Sequence, residues 1–216
     1  MTSDPARFVN GVLLAGGQSR RMGGGDKGLR ELAGQPMLAR VIERLSPQVQ
    51  RLVLNANGDP ARFEAFGLPI VPDTVTGFAG PLAGILAGMR WSMSVTPDAR
   101  WIATTSTDVP FLPLDLVHRL LAVAIEVGPD AIAIAASGGR AHPVIGLWPV
   151  ALAEDLQRQL DGGARKVMDW IGRHASTEVD FPPLRFHGRM IDPFFNVNTP
   201  EDLEDAAALI ASRGQP

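Results

Sequence analysis

A chain of 216 residues, 45% of them hydrophobic, can bury a substantial core and suits a single domain spanning 1–216 better than two. Its net charge of −3 gives no electrostatic reason to expect nucleic acid or an acidic membrane as partner, and without cysteine it has no disulfide, thiolate metal site or cysteine nucleophile. No apolar run reaches membrane-spanning length and residues 1–10 lack the apolar core of a secretory signal, so a cytoplasmic protein is expected.

The segments alternate between strand-like and helix-like patterns, which predicts a layered α/β fold with a mostly parallel sheet. Val9 to Ala15 is a strand-type apolar run that stops at Gly16-Gly17. Pro36 opens a helix with Leu38, Val41, Ile42 and Leu45 on one stripe. Leu52 to Leu54 is the next strand, ending at Asn55-Ala56-Asn57-Gly58, and a short helix around Ala61 to Phe66 leads to strand Pro69 to Val71, which ends at Asp73. Gly80-Pro81 opens a helix with Leu82, Ile85, Leu86 and Met89 on one face, and Trp101 to Thr105 is a central strand ending at Thr107-Asp108-Val109-Pro110. Leu114, Val117, Leu120, Leu121 and Ala124 define another amphipathic helix, stopped near Gly128-Pro129. Ala131 to Ala136 and His142 to Trp148 read as a hairpin, which inserts one antiparallel strand. Helices are expected at Val150 to Leu160 and Ala164 to His174, and Thr199-Pro200-Glu201-Asp202 is a capped helix start.

The stretch from Leu14 to Lys27 carries the chemistry. Glycines between Gly16 and Gly25 let backbone N–H groups converge on phosphate oxygens, while Arg20, Arg21 and Lys27 supply cations. The Walker pattern fails because Lys27 precedes Gly28 with no Ser or Thr, and the match to GxGxxG at Gly23, Gly25 and Gly28 sits too far past the strand for a dinucleotide fingerprint. In an open parallel sheet, ligands bind beyond the carboxyl ends of the strands. Asn55, Asp73 and Asp108 each follow a predicted strand, so they should share one cleft with the glycine loop, although each alone could be an ordinary turn residue. Asp108 is the preferred Mg²⁺ ligand, since a hard cation takes carboxylate oxygen together with substrate phosphates. The competing role is a cap for the helix near Pro113.

Leu14 to Lys27 fills every place of the signature LAGGxSxRMGxxDK, and this resembles the molybdopterin nucleotidyltransferases, specifically the molybdenum cofactor guanylyltransferases. The resemblance extends to Gly80-Pro81-Leu82-Ala83-Gly84, Asp108-Val109-Pro110, His142-Pro143 and Asn196-Val197-Asn198-Thr199-Pro200. It implies a three-layer α/β/α Rossmann-like nucleotidyltransferase fold. It also implies nucleotide binding by Leu14, Ala15, Gly16, Gly17, Lys27, Asn55, Asp73 and Gly80, metal binding by Asp108, and catalysis by Lys27, Asp108 and Arg21. The substrates would be GTP and molybdopterin or the molybdenum cofactor, with transient handover to a molybdoenzyme or its chaperone. Alternation puts Asn196 and Asn198 on one side of an extended segment suited to the second substrate or to a metal shell, with turn formation and helix capping as the competing role. Arg165 and Lys166 could hold the pterin phosphate, or form a solvated helix face. His142 is given no catalytic role. The rivals are CTP-dependent transfer, whose enzymes look more like LAAG and Asp-Gln-Pro at the matching segments, and a nucleotide-binding module without turnover.

Overall fold

The computed structural model describes residues 8–16, 25–75, 80–186 and 188–211. In chain order the elements are β1 (Val9–Leu14), β2 (Glu31–Leu32), β3 (Gln35–Pro36), α1 (Met37–Leu45), β4 (Leu52–Asn55), a 3-10 helix over Pro60–Phe66, β5 (Ile70–Val71), α2 (Pro81–Val95), β6 (Trp101–Ser106), α3 (Leu116–Val127), β7 (Ile132–Ser137), β8 (Arg140–Pro149), α4 (Ala153–Asp161), α5 (Val167–Ile171), β9 (Ser176–Asp180), β10 (Leu184–Phe186), β11 (Arg189–Ile191) and α6 (Pro200–Ala211).

Every residue of β1 is buried, as an apolar strand covered on both faces must be. Its alternating side chains feed two cores. Val9 and Leu13 join the one formed with Leu38, Val41 and Leu45 of α1 and the apolar stripe of α3. Val12 and Leu14 join the other, with Leu82, Ile85, Leu86 and Met89 of α2, Leu156 of α4 and Trp170 of α5. The result is a sheet between two helical layers, the three-layer arrangement expected.

The main sheet has seven strands in the order β5-β4-β1-β6-β8-β7-β9. Pairing is parallel between β1 and β4, β1 and β6, β4 and β5, and β7 and β9. Only β8 runs against its neighbours, β6 and β7. The carboxyl ends of β1, β4, β5, β6 and β7 therefore lie along one edge, where β8 begins. Register keeps the tips level, with Leu14 opposite both Asn55 and Ser106, and Asn55 opposite Val71.

The predicted helix beginning at Leu114 starts instead at Leu116, and Leu114 is 66% exposed. It has the right spacing but lies in the preceding turn. The predicted Ala164 to His174 helix shrinks to Val167–Ile171, because Lys166 is extended and Arg165 turns back on α4. Thr199 caps α6 as expected, its hydroxyl accepting from Asp202 N at 3.1 Å while Asp202 Oδ2 accepts from Asn198 N and Thr199 N. Among the described residues no helix is long and apolar enough to cross a membrane.

Candidate functional site

The tip of β1 opens into a cleft lined by Leu14, Ala15, Gly16, Asp26, Lys27, Gly28, Phe63, Ser106, Thr107 and Asp108. Gly17 and Arg21, both expected here, lie outside the described residues, as does Arg20. Gly28 explains how the lysine reaches the far strand: a Cβ there would fall 2.8 Å from Thr107 Cβ, so only glycine lets the turn settle on the end of β6. Lys27 Nζ then stands 3.3 Å from Asp108 Oδ2 and 2.5 Å from Asn198 Oδ1. Three stretches far apart in sequence converge on one ammonium group.

Asp108 does not cap a helix, since α3 starts at Leu116 after Asp115. It is 8% exposed, and its Oδ1 has no hydrogen-bond partner among the described residues. A buried carboxylate oxygen left unpaired is costly, and at the mouth of a phosphate-sized cleft it suits a hard cation. No group of three His, Cys, Asp or Glu side chains able to hold a metal occurs among the described residues. A cation on Asp108 could draw the rest of its shell from water and substrate oxygens, as Mg²⁺ commonly does.

Asn55 and Asp73 form a second cluster on the other side of β1. Asn55 Nδ2 donates to Val71 O at 3.1 Å and to Asp73 Oδ1 at 3.0 Å, and Asn57 Nδ2 donates to Asp73 Oδ2 at 2.8 Å. Asn57 Oδ1 accepts from Asp73 N at 2.9 Å. The α2 start closes over this cluster: a Cβ on Gly84 would lie 2.3 Å from Asn55 Oδ1 and 2.7 Å from Leu14 Cδ2. Gly80 caps that helix, and a Cβ there would come within 3.9 Å of Arg165 O, so the α4–α5 loop adjoins it.

The second-substrate residues divide. Val197, fully buried, separates exposed Asn196 from half-buried Asn198, so the alternation holds although residues 195–198 belong to no strand. Val197 N donates to Asp108 O at 3.0 Å, and Asn198 Nδ2 donates to Asn196 O at 3.2 Å. Arg165 Nη1 instead donates to Leu160 O at 3.2 Å and Ala164 O at 2.7 Å, closing the end of α4. Lys166 is exposed at the start of α5.

Besides cleft-lining Phe63, Ser106 and Thr107, Arg62 and Asn57 escaped the sequence reading. Arg62 Nε pairs with Asp26 Oδ2 at 2.8 Å and its Nη2 donates to Asn57 O, so it ties the Lys27 turn to the Asn55–Asp73 cluster. Asn57 was visible within Asn55-Ala56-Asn57-Gly58 but was given no role there. Arg62 gave no signal, since it sits in a short helix whose docking depends on Phe63.

A parallel-sheet crevice that gathers an ammonium group, a partly unpaired carboxylate and a glycine-bearing strand tip defines a nucleotidyltransferase of the Rossmann-like α/β class. Residues 11–177 match the MobA-like NTP transferase domain. A molybdenum cofactor guanylyltransferase of Bradyrhizobium sp. (strain ORS 278) is 54% identical over 98% of this chain and 97% of its own length. One from Mesorhizobium japonicum is 50% identical over 95% and 98%. The solved structure of molybdopterin-guanine dinucleotide biosynthesis protein A from Archaeoglobus fulgidus is 25% identical, with a TM-score of 0.70 over 94% of this chain and 98% of that one. A nucleotidyl transferase from Methanothermobacter shares the fold at 17% identity and TM-score 0.70, over 95% and 99% of the two chains. The chain belongs to the MobA-like NTP transferase family and, within it, to the molybdenum cofactor guanylyltransferases.

Proposed function

We propose that the chain transfers GMP from GTP to the terminal phosphate of molybdopterin, or of its molybdenum-loaded form, giving the guanine dinucleotide cofactor and pyrophosphate. The observation that carries this reading is the meeting of Lys27, Asp108 and Asn198 at the strand tips, in a chain 54% identical to a protein of that name. An oxygen of the acceptor phosphate bonds to the α-phosphorus of GTP as the bond from that phosphorus to the β-phosphate bridging oxygen breaks. The electron pair leaves with pyrophosphate. A phosphate nucleophile is largely ionised at neutral pH, so no general base is required, and positioning and charge neutralisation supply the rate.

Lys27 would move its donors from Asp108 and Asn198 to phosphate oxygens, joined by Arg21. Leu14, Ala15, Gly16 and Gly17 would let the backbone approach the phosphates, with Gly80 at the start of α2. Asn55 and Asp73 would meet the nucleoside, a carboxylate being able to accept from guanine N–H donors. Asp108 would hold Mg²⁺, which when bound neutralises developing phosphate charge. Asn196 and Asn198 would face the acceptor, and Lys166 and the remaining donors of Arg165 would hold its phosphate. A cytoplasmic setting and direct handover of product to a molybdoenzyme or its chaperone belong to the same reading.

The test is pyrophosphate release from GTP, CTP and ATP with molybdopterin and Mg²⁺. GTP should be turned over in preference, and Asp108→Ala should abolish most of that rate without preventing folding. Preference for CTP, or near-wild-type turnover by Asp108→Ala at saturating GTP and Mg²⁺, would overturn the assignment.

A further inference from the structure

Ser137 ends β7 and His142 stands early in β8, so the hairpin brings both to the sheet edge that carries the cleft. Ser137 Oγ donates to Asp192 Oδ1 at 2.7 Å and lies 2.8 Å from His142 Nε2. A hydroxyl has one proton. With that proton on the carboxylate, His142 Nε2 must carry the N–H that donates to Ser137. A nucleophilic serine would be arranged the other way, its proton facing the imidazole and the carboxylate orienting the ring. The cluster is therefore built to hold Asp192.

Asp192 Oδ1 also accepts from Phe194 N at 2.8 Å, and its carbonyl accepts from Phe195 N at 3.1 Å, which closes a turn. Phe194 is buried with its ring 4.8 Å from that of His142 and 5.3 Å from that of Phe181. From this turn the chain runs to Val197, tied to Asp108 O, and to Asn198, which accepts from Lys27. Residues 195–198 have no strand partner, so beyond the Val197 tie to Asp108 O and the burial of Val197 beside Phe111, contacts at the two ends help set the position of the segment. The far end is the cap of α6, and the near end is Asp192.

We propose that Ser137 and His142 are positioning residues that, through Asp192, fix the segment 192–198 and hold Asn198 against Lys27 and Asp108. Its kinetic consequence rests on the functional reading above, while its structural consequence does not.

The experiment combines steady-state kinetics with hydrogen–deuterium exchange on the full chain carrying Ser137→Ala, Ser137→Thr, His142→Phe or His142→Gln. The phenylalanine keeps a ring against Phe194 and removes the donor, while the glutamine returns an N–H. Ser137→Ala and His142→Phe should speed amide exchange in 192–199 by about five- to tenfold, the worth of a typical hydrogen bond, and leave β1 and β6 unchanged. They should raise KM for molybdopterin by a similar factor, about five- to tenfold, with the GTP dissociation constant held within about twofold. Ser137→Thr and His142→Gln should return both readouts towards wild type. Unchanged exchange in 192–199 would overturn the proposal, as would equal loss of affinity for both substrates without rescue. A wild-type protein that does not use GTP would sink the functional reading alone, because the exchange measurement decides the positioning claim without turnover.

Discussion

Lys27 donates to two oxygens of different kind, the carboxylate of Asp108 and the amide of Asn198, and on the proposed reading a bound triphosphate would draw it from both. Replacing it with alanine should lower kcat/KM by about 2–4 kcal/mol of transition-state stabilisation, the scale of one electrostatic donor in a preorganised site. Gly84 offers a second residue-level test, with Gly88 as its control. A Cβ at Gly84 drives into Asn55 Oδ1 and Leu14, whereas one at Gly88 lies 2.6 Å from Val12 Cγ2, in the apolar core. Both alanine variants should lose about 1–3 kcal/mol of stability by overpacking. Only Gly84→Ala should also weaken GTP binding, measured calorimetrically below both melting transitions. Equal GTP affinity in the two variants would remove Asn55 from the nucleotide site.

Among the elements, those with a dense apolar stripe were legible from sequence. In β1, α1, α2 and β6 burial follows period directly, since both faces or one whole face must leave water. Strand β9 was not predicted, because it reads Ser-Thr-Glu-Val-Asp at the sheet edge and buries only Val179. The hairpin of β10 and β11 is three residues a side and left no pattern to find. The α4–α5 pair depends on polar contacts that spacing cannot reveal. Asp155 Oδ2 accepts from Trp170 Nε1 at 3.0 Å and from His174 Nε2 at 3.1 Å, joining the two helices. The Trp170 hydrogen bond is the main cause holding the Asp155 carboxyl below its usual range. A depressed folded pKa adds stability that is fully present above the unfolded value and is lost as pH falls through the folded one. Asp155→Asn should therefore cost about 1–2 kcal/mol at neutral pH, with the gap to wild type closing only in acid below about pH 4. Urea unfolding at pH 7 and pH 3 would measure it, and a gap of equal size at both would refute this source of stability.

For the molecule as a whole, the layered fold and the meeting of Lys27 with Asp108 could be anticipated, because parallel strands bring their carboxyl ends to one side, whereas Asn198 reaches them from a segment that belongs to no strand. What sequence could not supply was the cross-bracing. Arg62 reaching Asp26, and Asp192 reaching Ser137, are contacts between side chains on separate elements, set by how the layers pack. A ligand that binds only the folded state must raise its melting temperature. With Mg²⁺, GTP at about a hundred times its dissociation constant should add about 2.7 kcal/mol of stability, and CTP markedly less. Excess EDTA should shrink the GTP effect, and Asp108→Ala should make the response insensitive to EDTA.

The reversal of β8 has a further bearing on how this enzyme could change. On the proposed reading, residues up to 110 would hold the nucleotide, while the stretch beyond 137, which arrives from across the reversed strand, would receive the other reactant. A new acceptor specificity could then be selected in the later stretch, leaving the opening strand and its loop as they are.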